Sequence, residues 1–398
     1  MRSLRTLPSL RTLSRSLAAA SLAGLTGLAV AAVPAGPAHA ATTTTDPARA
    51  GAGWLARQLV DGDHYLFEGS TFADYGSTAD GVVALAAAGV GRDAAGKATD
   101  FLAAHVADYA DTAGQFGGPL AGSYAKLALA AAAEGRDPHK FGGVDLVAGI
   151  TSLEDANGMY KQGGFETITS QSLAILALSR AKATVDGKAV TFLAGAQCAG
   201  GGFPSAFPAA GATCTPDPDS TAIAAEALWA AGRTADAGKV LDWLVGTRKA
   251  DGGYEANGVE NANSTSLAAS ALTLAGRDDG AELGWLRANQ VGCAGADADR
   301  GASQYNGKAQ VRATVEAVLA LSGKTVLNAD GTAASADVPA LDCAGSPAPT
   351  TSSEPAAAGG GELPRTGLPA GLLAGTGVAF LLAGGVALYS TRRRARRS

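Results

Sequence analysis

The chain is poor in the residues that bind metals and nucleic acids. Its 398 residues include four cysteines, four histidines and two methionines. No Cys-x-x-Cys pair occurs, and one histidine, His39, falls in a segment read below as removed, so metal ligation is not expected. Charged residues make up 17% and aromatics 6%. No basic stripe runs along the chain to follow phosphates, which excludes nucleic-acid binding. What is abundant is glycine, 54 residues, and apolar residues, 47%.

Both ends read as sorting segments. Arg2, Arg5, Arg11 and Arg15 precede a small and apolar stretch from Leu17 to Val33, and Ala38-His39-Ala40 places small residues where a signal peptidase cuts. The spacing predicts an export signal over 1–40, cleaved before Ala41. No two of these arginines are adjacent, which favours the general secretory route. At the other end, Leu363-Pro364-Arg365-Thr366-Gly367 is followed by an apolar run from Leu368 to Tyr389 and by Arg392, Arg393, Arg394, Arg396 and Arg397. About 20 apolar residues suffice for a transmembrane helix, and the positive tail stays inside. This order resembles the LPxTG sorting signal of Gram-positive surface proteins. The resemblance implies that a sortase transpeptidase cuts after Thr366 and joins its carbonyl to peptidoglycan, with the membrane only an intermediate stop.

Nine arginines and no acidic residue lie outside 41–366, so that span carries 22 basic against 36 acidic residues, a net charge of −14 against −5 for the whole chain. Export permits disulfides. Four cysteines allow three pairings; the favoured one joins Cys198 to Cys214 across one loop and Cys293 to Cys343 across the end of the domain. Residues 41–47 read as a short flexible leader, and 344–362, rich in Pro, Ser, Thr, Ala and Gly, as a tether without an apolar face.

The span 48–343 is repetitive. Trp54-Leu55, Phe101-Leu102, Phe192-Leu193, Trp243-Leu244 and Trp285-Leu286 recur at intervals of 47, 91, 51 and 42 residues. The interval of 91 conceals a degenerate unit near Leu146-Val147, making six stacked units. In each, a glycine-rich loop with an aromatic residue is followed by an apolar helix opened by Ser or Thr and closed by Gly. Thr221 to Gly232 matches Thr265 to Gly276, and Thr78 to Gly89 shares the spacing. The hydroxyl residues suit N-caps and the glycines C-caps. These helices are apolar nearly all round and should be buried. The helices that follow them are amphipathic: in Thr234 to Thr247, Ala237, Val240, Leu241 and Leu244 form one stripe. Six buried helices form an inner ring, six amphipathic ones an outer ring, and Pro47 to Leu59 closes against Gln310 to Leu321.

Glycine–aromatic loops, Ser/Thr-led inner helices and aromatic–leucine outer helices resemble the prenyltransferase and squalene-cyclase repeat superfamily. The resemblance implies an all-α fold, an α6/α6 toroid of six helical hairpins with a central cavity. It also offers chemistries. Asp217-Pro218-Asp219-Ser220-Thr221-Ala222 is similar to the D-x-D-D-T-A acid of class II terpene cyclases, but Ser220 replaces one of the paired carboxylates; helix capping by Asp219 or Ser220 is the preferred reading. Zinc-binding relatives need Cys and His on inner helices, which this chain lacks, and Gln197-Cys198-Ala199 is not a thioester motif. No cofactor is expected.

His64, among Asp61, Asp63 and Glu68 and ahead of Asp74, Tyr75 and Asp80, is a candidate general base; Asp217 and Asp219 are the other catalytic candidates. Tyr65, Phe165, Glu166, Phe203, Phe207, Tyr254, Glu255, Gln304 and Tyr305 are expected either around the cavity mouth or packing the loops onto the ring. Glu226 and Glu316, isolated carboxylates on apolar helices, should face the cavity or a partner. The function expected is a non-catalytic surface protein holding an unidentified small molecule, sugar or peptide. The alternative is an extracellular enzyme, terpene-cyclase-like or carbohydrate-active, using acids at the mouth.

Overall fold

The computed structural model describes residues 42–115, 117–208 and 211–344. The export signal, most of the tether, the Leu363–Gly367 motif with Thr366, and the apolar run to Tyr389 lie outside the described residues. The chain divides into two units, Met1–Pro349 and Thr350–Ser398, and everything described belongs to the first.

Outer and inner helices alternate along the chain. Helix α1 (Pro47–Arg57) is outer and α2 (Tyr75–Ala88) inner; α3 (Arg92–Ala104), with the one-turn α4 (Val106–Tyr109), is outer and α5 (Ala121–Ala133) inner. Then follow outer α6 (Leu146–Ser152), inner α7 (Ile168–Arg180), outer α8 (Gly187–Gly195) and inner α9 (Pro218–Ala230). Outer α10 (Thr234–Thr247), inner α11 (Ala262–Leu274), outer α12 (Gly280–Ala288) and inner α13 (Val311–Leu321) complete thirteen helices among the described residues. The inner helices touch in the order α2, α5, α7, α9, α11, α13 and back to α2, so the ring is closed, and α1 packs on α13. The degenerate unit is α6, only seven residues long. Among the described residues no helix is long and apolar enough to cross a membrane.

Four of the six inner helices, α2, α7, α9 and α11, carry a side-chain N-cap. The caps are Asp74, Asp217 and Asn261, whose side chains accept from the backbone N–H three residues on at 2.8–2.9 Å, and Thr167, which accepts from Ser170. The hydroxyl residues at the helix starts are therefore mostly not caps. Thr78, Thr221, Thr265 and Thr314 stand four residues past the cap, donating to the cap carbonyl at 2.6–2.9 Å. Each also accepts a loop N–H, from Tyr65, Phe203, Tyr254 and Ser303 respectively, at 2.8–3.0 Å. On α7, Gln171 takes that place and accepts from Tyr160 at 2.9 Å. Asp, Asn and Thr satisfy orphan N–H groups at the helix end; the residue four on ties the preceding loop to the ring.

The leader is not free: Thr43–Thr44 (β1) pairs in parallel with Ala340–Leu341, the last of six short strands. Glycine at 53 permits this crossing, since a Cβ there would lie 1.7 Å from the Pro339 carbonyl oxygen. Two disulfides, Cys198–Cys214 and Cys293–Cys343, adopt the favoured pairing. After α13 the chain runs across the C-terminal ends of the inner helices. Arg180 donates to the carbonyls of Val326 and Ala329, Gly331 N–H to Ala133 O at 2.8 Å, and Ser335 N–H to Gly89 O at 3.1 Å. This strap floors the ring.

Candidate functional site in the ring centre

Counting from the N-caps places the cavity wall in layers. Two residues past the cap stand Gly76, Gly122, Thr169, Asp219, Asn263 and Arg312; six past it, Asp80, Lys126, Leu173, Ile223, Leu267 and Glu316; nine past it, Val83, Leu129, Leu176, Glu226, Ser270 and Leu319. All of the second and third sets, with Thr169, Asp219, Arg312, Val315 and the floor residue Val326, line one cavity of about 140 Å³. At 1.5 Å per residue the layers span roughly 10 Å of depth.

The middle layer is divided. Glu316, Asp80 and Lys126 come from three consecutive helices of the ring, α13, α2 and α5, while Leu173, Ile223 and Leu267 come from the other three. Lys126 is ion-paired with Asp80. Burial lowers the Lys126 ammonium, but Asp80 and Tyr109 more than reverse this and leave it above its ordinary range. Arg312 lies 3.5 Å from Glu316. Burial pushes Glu316 up to about 7, with Arg312 opposing and Asp219 and Asp80 adding. Burial likewise raises Asp219, with Asp217 adding and Ser264 and Arg312 opposing.

Glu226 stands apart. It is 5% exposed, one layer below the apolar half of the wall, and has no hydrogen bond or ion pair among the described residues. Burial alone pushes its carboxyl up to about 8. A carboxylate without a partner in an apolar wall is too costly, so the proton stays.

The other expected residues are placed elsewhere. Asp217 is the α9 cap and Asp219, not a cap, turns into the cavity, so the motif at 217–222 divides between structure and site. His64 bonds Asp63 at 2.6 Å and stacks on Phe101 at 4.4 Å, away from the cavity-lining set. Tyr65, Phe203 and Tyr254 do not ring the mouth: each is at most 1% exposed. Tyr65 donates to the Leu55 carbonyl at 3.2 Å and Tyr254 to the buried Glu282 at 3.1 Å. These aromatics pack the loops because their N–H groups are tethered to the helix threonines. Glu166 accepts from the Gln162 and Gly164 N–H groups at 3.0 and 3.1 Å; burial raises its carboxyl, but backbone hydrogen bonds outweigh that and hold it low. Glu255 pairs with Lys249 at 2.7 Å in a hairpin, Tyr305 lies in another hairpin against α11 and α13, and Phe165 is 56% exposed. None of these lines the cavity. Sequence reasoning missed Lys126 and Arg312 and weighed Asp80 only as one polar group after the first loop. Alignment of the inner helices by their caps is the signal that finds them. Among the described residues no group of three His, Cys, Asp or Glu side chains is arranged to hold a metal.

Solved structures share this fold. Type II terpene cyclase MstE from Scytonema superposes with a TM-score of 0.52 at 16% identity, over 69% of this chain and 96% of that one. The unsaturated glucuronyl hydrolase of Bacillus sp. GL1, which degrades glycosaminoglycan, gives 0.51 at 13% identity, over 69% and 95%. A protein from Actinoplanes gives 0.51 at 17% identity, over 71% and 99%. No protein-family model and no curated protein matches the sequence. At these identities the likeness establishes the α/α toroid fold.

Proposed function

We propose that this protein is an extracellular acid–base enzyme that protonates a small unsaturated substrate inside the toroid. The observation that carries the reading is Glu226: buried, unpartnered and still protonated near neutral pH, in a wall mainly of Leu, Ile and Val with Ser270 on the next helix. A poised acid needs a pKa near the working pH. Glu226 gives its proton to one carbon of a C=C bond and becomes a carboxylate. The resulting cation loses a proton from a neighbouring carbon to Glu316, whose raised pKa near 7 suits a base, and the double bond is restored in a shifted or cyclised product. No oxidant or cofactor is required.

The fold neighbours favour catalysis over passive binding, since the terpene cyclase and the glucuronyl hydrolase are both enzymes. The non-catalytic reading expected from sequence has no such support. A sugar buried in the deep layer would leave most of its hydroxyls facing Val83, Leu129, Leu176 and Leu319, with only Glu226 and Ser270 to meet the rest, which disfavours the carbohydrate variant. Incubation in D₂O with a panel of small alkenes and alkenols tests the proposal. Deuterium should enter the recovered product, and Glu226→Gln should abolish that. Undiminished exchange in the Gln variant contradicts the assignment.

The same proposal includes the address. Two disulfides suit an oxidising exterior, and the order of features at both ends supports signal-peptidase cleavage and sortase linkage to peptidoglycan through Thr366. Thr366→Ala should move the protein out of the wall fraction; unchanged wall retention counts against sortase.

A further inference from the structure

The deep layer of the cavity wall is apolar on four helices, where Val83, Leu129, Leu176 and Leu319 stand, and polar on two, α9 and α11, which carry Glu226 and Ser270. Both residues lie nine past their caps, so they share one height on helices that pack against each other. Glu226 is 5% and Ser270 4% exposed. Like Glu226, Ser270 has no hydrogen-bond partner among the described residues. A hydroxyl buried in a helix ordinarily donates to a carbonyl three or four residues back. Thr99 does so to Ala95 O at 2.7 Å and Ser322 to Leu319 O at 2.6 Å. The Ser270 hydroxyl is uncommitted, a cost that an apolar residue in the same place would not carry.

The chemistry of Glu226 gives that hydroxyl a use. When the proton goes to the substrate, a carboxylate is left in a mainly apolar wall, and the ion is the expensive form. The other titratable side chains lining the cavity are Asp219 on α9 itself, Arg312 and Glu316 on α13, Asp80 on α2 and Lys126 on α5, all in the upper two layers. On the other side of α9, helix α7 lines the cavity with Thr169, Leu173 and Leu176 and brings no charge. Burial alone raises the Glu226 carboxyl, so no cation offsets the charge that appears there. Within the deep layer Ser270 is the one lining donor besides Glu226.

We propose that Ser270 is a positioning residue for the acid: its hydroxyl stands idle while Glu226 is neutral and donates a hydrogen bond to the carboxylate that proton transfer leaves. The proposal rests on the acid role of Glu226 and adds the group that makes its ionised form tolerable. No bond restrains the Glu226 side chain, which is free to turn toward Ser270 on the neighbouring helix. The serine keeps its own proton; only the hydrogen bond forms. A bond to the charged form of an acid favours ionisation, and bonds to ions are the stronger kind.

A carboxyl ¹³C titration of the full chain tests this without any substrate. Ser270→Ala should raise the Glu226 midpoint above the parent's by about 1–2 pH units, the worth of one hydrogen bond to a charged group. Ser270→Thr restores a hydroxyl and should return the midpoint to the parent's value. A purely structural role predicts neither, since room left by alanine would admit water to the carboxylate and lower the midpoint. An unchanged or lowered midpoint in the alanine variant overturns the proposal, as does a threonine variant that titrates with the alanine one. The two readings fail separately. A parent midpoint in the ordinary glutamate range removes the acid role itself, whereas a raised parent midpoint that Ser270→Ala leaves in place removes Ser270 alone.

Discussion

Two sets of positions on the same six helices obey opposite rules. Four residues past the cap the repeat is nearly constant: Thr78, Gln171, Thr221, Thr265 and Thr314 all hold the loop behind them, and only Tyr124 departs. Two, six and nine residues past the cap no side-chain type is kept around the ring. Glycine, threonine, leucine, serine and both signs of charge occur there, and all of the positions six and nine past the cap, with Thr169, Asp219 and Arg312 two past it, line the cavity. The difference separates construction from chemistry. A ring repeats one tether, here on five of its six inner helices, whereas a site needs a different group on each side of its ligand.

The largest expected effect lies on the constructional side. Phe203 is fully buried between loop and ring, and Phe203→Ala should cost about 3–5 kcal/mol in denaturant unfolding; a loss under 1 kcal/mol would mean the loop aromatics do not hold the ring. Next comes a change of opposite sign inside the cavity. Below about pH 4.5 Glu226 is protonated both folded and unfolded. Between there and about 8 the unfolded chain ionises while the native carboxyl does not, so stability declines as pH rises, then levels off. Glu226→Gln removes that decline and should be more stable at pH 8 by on the order of 4 kcal/mol. A variant no more stable than the parent at pH 8 would blur the distinction between the two sets. Thr221→Val, which removes one tether, should cost about 1 kcal/mol, read in the same titration. Phe165→Ala, at an exposed site, should stay within about 0.5 kcal/mol.

The same division explains what was legible in the sequence. Repetition exposes construction: the aromatic–leucine period, the hidden unit near Leu146 and the closure of α1 on α13 all follow from counting. The loops misled because an aromatic after a glycine pair looks like a mouth residue. Only the hydrogen bonds from the Tyr65, Phe203 and Tyr254 N–H groups to threonines show that the rings are drawn inward between the layers. The caps misled for a related reason. Threonine is a good cap in general, yet here Asp74, Asp217 and Asn261 hold that place four residues earlier. Glu226 and Glu316 stood out because a carboxylate among alanines and leucines must have a reason to be there. Lys126 and Arg312 did not, because each is a single charge on a different helix, and their convergence with Asp80 exists only once the ring has closed. The strap over the floor had no signal at all, since Arg180 meets Val326 and Ala329 through backbone carbonyls that any residue would provide.

The account depends most directly on the proton carried by Glu226. Carboxyl ¹³C chemical shifts followed from pH 4 to 10, with Glu226→Gln identifying the signal, measure its ionisation. A midpoint near 8 is the result expected from a buried, unpartnered acid. A midpoint in the ordinary glutamate range, about 4.3, would show a hydrated carboxylate and would contradict both the acid role and the apolar chamber around it.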